Sequence, residues 1–103
     1  MTTSYTKKPW EVFDITQSFA DRLDSEDEEA LDIDNSLVEI YDSGNNDVTA
    51  TIMVADSLTV YEDTSLKVVV QGGVAGNTYK ICFKGYVSDT RKFQEDVYLK
   101  VRS

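Results

Sequence analysis

The stretch from Leu66 to Phe83 constrains this chain more than any other, because two alternating apolar runs meet there across a glycine-rich turn. Leu66, Val68 and Val70 share one parity, and Tyr79, Ile81 and Phe83 share another; a period of two is what a half-buried strand requires. Gly72, Gly73 and Gly76 supply the backbone freedom of a reversing connection. A chain built around such a segment is a β protein, and its 103 residues hold one modest core.

The rest of the chain continues the pattern. Residues 1–9 are polar and end at Pro9, the only proline, which predicts a flexible, unpaired arm ahead of a single domain over 10–103. Trp10 to Phe19 reads as an edge strand, and Ser36 to Tyr41 as a second strand through Val38 and Ile40. After a turn at Asp42 to Asp47, Val48, Ala50, Ile52 and Val54 alternate with Thr49, Thr51 and Met53, so this segment reads as a strand forming a hairpin with the last one. Leu58 to Tyr61, Leu66 to Gln71, Thr78 to Val87, with a bulge suggested at Gly85, and the strand carrying Phe93, Val97, Leu99 and Val101 complete the count. About seven short strands with turn signals every 8 to 12 residues predict an all-β, immunoglobulin-like or fibronectin type III-like sandwich.

Charge is distributed unevenly. Ten bases against nineteen acids leave a net charge of −9, which argues against nucleic acid or an anionic membrane as partner. From Asp21 to Asp34, eight acids face one base, Arg22. Repulsion between pairs such as Asp24 and Glu28 disfavours a helix there and predicts a solvated acidic loop over 21–34.

Most chemistry is excluded by missing residue types. Without histidine there is no Ser-His-Asp or Cys-His catalysis and no His-containing metal site. Cys82, the single cysteine, has no disulfide partner and reads as a strand thiol. The glycines lack the lysine and helix of a phosphate-binding loop. The acidic run invites a divalent-cation reading, but Asp32 to Leu37 lacks the glycine of an EF-hand turn. These absences predict a non-enzymatic protein with no cofactor. Met1 to Trp10 lacks the apolar core of an export signal, and no apolar run reaches membrane-spanning length.

Two resemblances extend this reading. The segment Gly73-Val-Ala-Gly76-Asn-Thr-Tyr79-Lys-Ile81 is similar to the connection in fibronectin type III domains that leads into a tyrosine corner. That resemblance implies structural roles for Gly73, Gly76 and Tyr79, the phenol reaching back to an upstream backbone group. The usual proline is replaced by Ala75. The layout of Lys8-Pro9, Phe13-Asp14-Ile15-Thr16, Gly72-Gly73 through Gly76 to Tyr79, and Thr90-Arg91 ahead of Val97, Leu99 and Val101 resembles a family of small tailed-phage and prophage proteins of the fibre-tail adaptor or tail-completion type. It implies a virion structural protein, assembled in the bacterial cytoplasm and partnered by other virion proteins or copies of itself. The turn here reads Asp89-Thr90 where that family often has Asp-Gly.

Parity locates the surfaces such a protein would use. With Tyr79, Ile81 and Phe83 inward, Lys80, Lys84 and Tyr86 point outward, and Tyr98, Lys100 and Arg102 do so on the last strand. This basic, tyrosine-bearing face is expected to meet the acidic loop, through Glu26, Asp27, Glu28 and Glu29, of an adjacent copy; such a contact closes into a ring when the rotation allows. Two alternatives stand beside this reading. One is a fibronectin-like module binding protein or carbohydrate, with Tyr61, Tyr86 and Tyr98 stacking on sugars. The other is a divalent-cation-binding β-domain.

Overall fold

A computed structural model describes residues 3–24, 26 and 28–103. Its strands are β1 (Thr3–Lys7), β2 (Phe13–Ser18), β3 (Leu37–Tyr41), β4 (Thr59–Tyr61), β5 (Ser65–Val70), β6 (Thr78–Ser88) and β7 (Arg91–Val101), with one helical turn, α1 (Thr49–Ile52), between β3 and β4. They form a four-stranded sheet in the order β1-β7-β6-β3 and a three-stranded sheet in the order β2-β5-β4.

Period-two burial closes the two sheets on one core. Ile15 on β2 and Leu66, Val68 and Val70 on β5 supply one side; Val38, Ile40, Ile81, Phe83, Val97, Leu99 and Val101 supply the other. Antiparallel β6 and β7 are in register from Thr78 opposite Lys100 to Tyr86 opposite Lys92. The expected bulge at Gly85 lies instead between Tyr86 and Ser88. Gly85 serves a different purpose: a Cβ there would stand 2.9 Å from Leu31 Cδ2 and 3.4 Å from Phe19 Cζ. Its missing side chain admits the two apolar residues that seat the acidic loop on the core.

Three further expectations are corrected. The unpaired arm expected over 1–9 contains β1, which runs parallel to β7 with Lys7 opposite Val101. Its strand pairing is long-range and its end is fixed by a buried lysine, features without an apolar signature. The strand expected at Val48–Val54 is the helical turn α1, so the expected hairpin reduces to an isolated bridge between Tyr41 and Asp47. Asp47 Oδ1 accepts hydrogen bonds from Thr49 N at 3.0 Å and Thr49 Oγ1 at 2.7 Å, and Thr49 Oγ1 accepts from Ile40 N at 2.8 Å. These local bonds compete with a ladder and turn the chain from one sheet to the other, where Gln71 N donates to Ile52 O. Finally, the strand expected from Trp10 starts at Phe13, leaving Trp10 in the preceding turn and Val12 in the short link after it.

Candidate functional site: an outer sheet face between two unlike ends

The glycine turn between β5 and β6 is closed by Tyr79. Its buried ring directs a hydroxyl that accepts a hydrogen bond from Val74 N at 2.9 Å. Gly73 has φ +94, and a Cβ there would lie 2.7 Å from Val101 Cγ2 and 3.4 Å from Tyr79 Cε2. Conformation and space both call for glycine. Gly76, with φ +93, donates its N–H to Val101 O at 2.8 Å. Tyr79→Phe leaves the Val74 N–H without that acceptor; a loss of about 1 kcal/mol in unfolding free energy is expected, measured by urea titration.

Lys7 anchors the same end of the molecule. Its side chain is buried, and Nζ donates to Gly72 O at 2.6 Å, Lys8 O at 2.8 Å and Pro9 O at 3.1 Å. Desolvation lowers the ammonium pKa, opposed by the Glu11 carboxylate. An ammonium can satisfy three acceptors at once, so one side chain ties β1, the turn after it and the glycine turn together. No local pattern in Thr3–Lys7 announces this role; the only signal is a lysine next to Lys8-Pro9.

The outer face of the four-stranded sheet carries the even-numbered residues of β6 and β7. Register places Lys80 beside Tyr98 and Tyr86 beside Lys92, with Lys84 opposite Gln94 and Lys100 opposite Thr78. Arg102 lies just past the strand and is exposed. The face is less uniformly basic than its lysines suggest, because Lys84 ion-pairs with Glu39, whose carboxylate also accepts from Tyr41 OH at 3.0 Å. Both bonds lower the Glu39 pKa, the Lys84 bond most, and the same pair raises that of Lys84. Glu39 and Tyr41 alternate with the apolar Val38 and Ile40, which is the signal that would have placed them on this face. Buried Cys82 lies in the same layer; desolvation, then a hydrogen bond to Asp96, raises its pKa to about 11, the opposite of an activated nucleophile.

Two lysines cap neighbouring rings: Lys80 Nζ stands 5.9 Å from the Tyr41 centroid and Lys92 Nζ 5.5 Å from that of Tyr86. Tyr86 OH also donates to Asp89 Oδ1 at 2.5 Å, the main cause of its raised pKa. Tyr61 belongs to β4 in the other sheet, so Tyr61, Tyr86 and Tyr98 do not gather into one aromatic platform.

The acidic loop is held by bases. Arg91 binds Glu29 through two 2.8 Å hydrogen bonds, Arg22 pairs with Glu95 at 2.7 Å, and the two guanidiniums lie 5.2 and 4.9 Å from the Phe93 ring centroid. The Glu29 side chain is accordingly only 13% exposed, whereas Glu26 and Glu28 face solvent; Asp27 lies outside the described residues. Phe19 N to Thr64 O and Leu31 N to Asp63 O, both 2.8 Å, join this loop to the β4–β5 turn. That end therefore collects Asp21, Asp24, Glu26, Glu28, Glu29, Asp32, Asp34, Glu62, Asp63 and Asp89 against Arg22 and Arg91, ten acids to two bases. The remaining described residues carry eight of each sign. Nearly all the net charge thus sits at one end. Among the described residues no three His, Cys, Asp or Glu side chains converge on a metal position. No helix among them is long and apolar enough to cross a membrane.

The arrangement has a pH consequence. Glu29 is held low first by Arg91, Glu39 by Lys84, Asp42 by the Asn46 N–H and Asp47 by the Thr49 N–H. A folded-state pKa below the unfolded one means that the unfolded chain binds more protons in the window between them. The stability contributed is complete above the ordinary values of 4.5 and 3.8 and is lost as pH falls through and below them. Thermal melts are expected to show a lower Tm at pH 3 than at pH 7, with Arg91→Gln flattening the dependence.

No curated protein matches the chain. Residues 7–100 match the family described as podophage GP4 fiber-tail adaptor protein gp77. The match runs from β1's last residue, Lys7, to Lys100, the penultimate residue of β7, and includes Tyr79, the acidic end and the outer sheet face. With nearly its whole length inside the match, this chain belongs to the podophage fiber-tail adaptor family gp77.

Proposed function

We propose that this chain is a non-enzymatic adaptor of a phage tail, an immunoglobulin-like sandwich that joins other virion proteins through the outer face of its four-stranded sheet. The family match carries the reading. Strand order supports the fold assignment: β2, β5 and β4 take the places of strands B, E and D, and β3, β6 and β7 those of C, F and G. The first strand lies on β7 instead of β2. On the proposed contact face, Lys80, Tyr98 and Lys100 form a continuous stripe bordered by Ser4 and Thr6 of β1. Tyrosine is enriched at protein interfaces, the lysines would steer and orient an acidic partner, and buried Cys82 offers no competing chemistry. Assembly in the bacterial cytoplasm follows from a virion role.

The experiment is fibre attachment. Tail particles assembled without this chain should lack fibres, and adding the purified protein should restore them; Lys80→Glu combined with Lys100→Glu should not. Fibres present on particles that never contained the chain would refute the proposal.

A further inference from the structure

The two ends of the molecule present a knob and a groove of opposite character. At the Lys7 end, Lys8 to Glu11 form a tight turn: Glu11 N donates to Lys8 O at 3.0 Å and Lys8 N donates to Glu11 Oε1 at 2.6 Å. Pro9 occupies the second position of this turn, which its fixed φ suits, and Lys7 clamps the Lys8 and Pro9 carbonyls from inside. This anchored turn holds Trp10 92% exposed. Val12 is 58% exposed, and Val74, on the loop joined through Gly72 to the same ammonium, is 63% exposed. Two exposed bases flank the group: Lys8 within the turn and Arg102, whose N–H donates to Lys7 O at 2.8 Å.

At the other end, a groove of about 360 Å³ opens between the acidic loop and the β4–β5 turn. Ala20, Leu23 and Ala30 give it apolar walls, and Glu28, Glu62 and Asp63 rim it. Its two sides are fixed by the Phe19–Thr64 and Leu31–Asp63 hydrogen bonds, so it exists before anything enters. All three rim acids adopt positive φ, between +52 and +63.

We propose that Trp10 of one copy docks in this groove of the next, with Lys8 and Arg102 facing the acidic rim. Charge selects a second copy in this orientation. Two acidic ends repel, the cleft at the Trp10 end is small, about 170 Å³, and lined by the bases Lys100 and Arg102, and the unlike ends match both apolar surface and charge. The contact is heterologous, so it propagates into a ring or a filament. Anchoring the turn in advance reduces the ordering cost of binding, and an indole in an apolar pocket is the kind of group that dominates an interface. The proposal differs from a contact between the acidic loop and the basic sheet face, and it leaves that face free for other proteins.

Trp10 is the only tryptophan, so its emission reports the contact directly. From about 10 μM to about 1 mM protein, emission should move to shorter wavelength while the mass by light scattering rises. Raising salt from about 50 to 500 mM should reverse both. Trp10→Ala and Ala30→Arg, both at exposed positions, should each remain monomeric alone. Mixed one to one they should stop at a dimer, because only one knob and one groove remain. A monomer mass and unmoved emission throughout, or assembly that persists in both variants, overturns the proposal. Neither outcome bears on fibre attachment, which is scored separately.

Discussion

Phe19→Ala is expected to lower the unfolding free energy by about 4 kcal/mol, the largest single effect anticipated in this chain. Phe19 is fully buried and stands in the space left open by Gly85, beside Leu31. Truncation removes the apolar area and leaves a cavity between the acidic loop and the sheet, where the rigid β6–β7 ladder cannot collapse into it. With roughly 4 to 8 °C per kcal/mol in a domain of this size, Tm should fall by about 20 °C. The loop should loosen beyond the loss of stability. Amide exchange should quicken selectively at Leu31 and Asp32, whose N–H groups donate to Asp63 O and Tyr86 O. A Tm change of only a few degrees would show that the loop is not seated through this residue.

Lys7→Ala is expected to cost about 3 kcal/mol, the value of replacing a charged donor that serves three carbonyls in a site water does not reach. Lys7→Met retains the apolar stem and separates packing from hydrogen bonding. If the ammonium is what matters, the methionine variant remains far below wild type in urea midpoint, whereas a methionine variant as stable as wild type assigns the effect to the stem alone. Either substitution should also release the Trp10 turn, because two of the three carbonyls belong to it.

What the sequence revealed follows physical range. Strands with an apolar face were legible: Leu66 to Val70, Tyr79 to Phe83 and Val97 to Val101 each declare their inward side by parity. The segment Val48 to Val54 alternates just as well, yet a single helical turn shows no period, and its conformation is set by Asp47 and Thr49 bonding to nearby backbone. β1 has no apolar stripe and pairs in parallel with a strand some 94 positions away, Thr3 with Val97, so nothing local could reveal it. Lys7 illustrates the same limit, since a polar residue in a polar stretch becomes buried only through a partner loop at Gly72. At the candidate site, the lysines of β6 and β7 are visible as an outward parity, but the neutralisation of Lys84 by Glu39 depends on a strand neighbour. The concentration of charge at one end likewise needs the fold, because Glu62, Asp63 and Asp89 join the acidic loop only through the β4–β5 and β6–β7 turns.

Lysine labelling of intact virions against the free protein tests most directly whether the chain acts as an adaptor through its four-stranded sheet. Lys80 and Lys100, on that face, should be protected in the virion, while Lys67, on the strand β5 of the opposite sheet, should label as in the free chain. Protection of Lys67 with Lys80 and Lys100 still labelled would contradict the account.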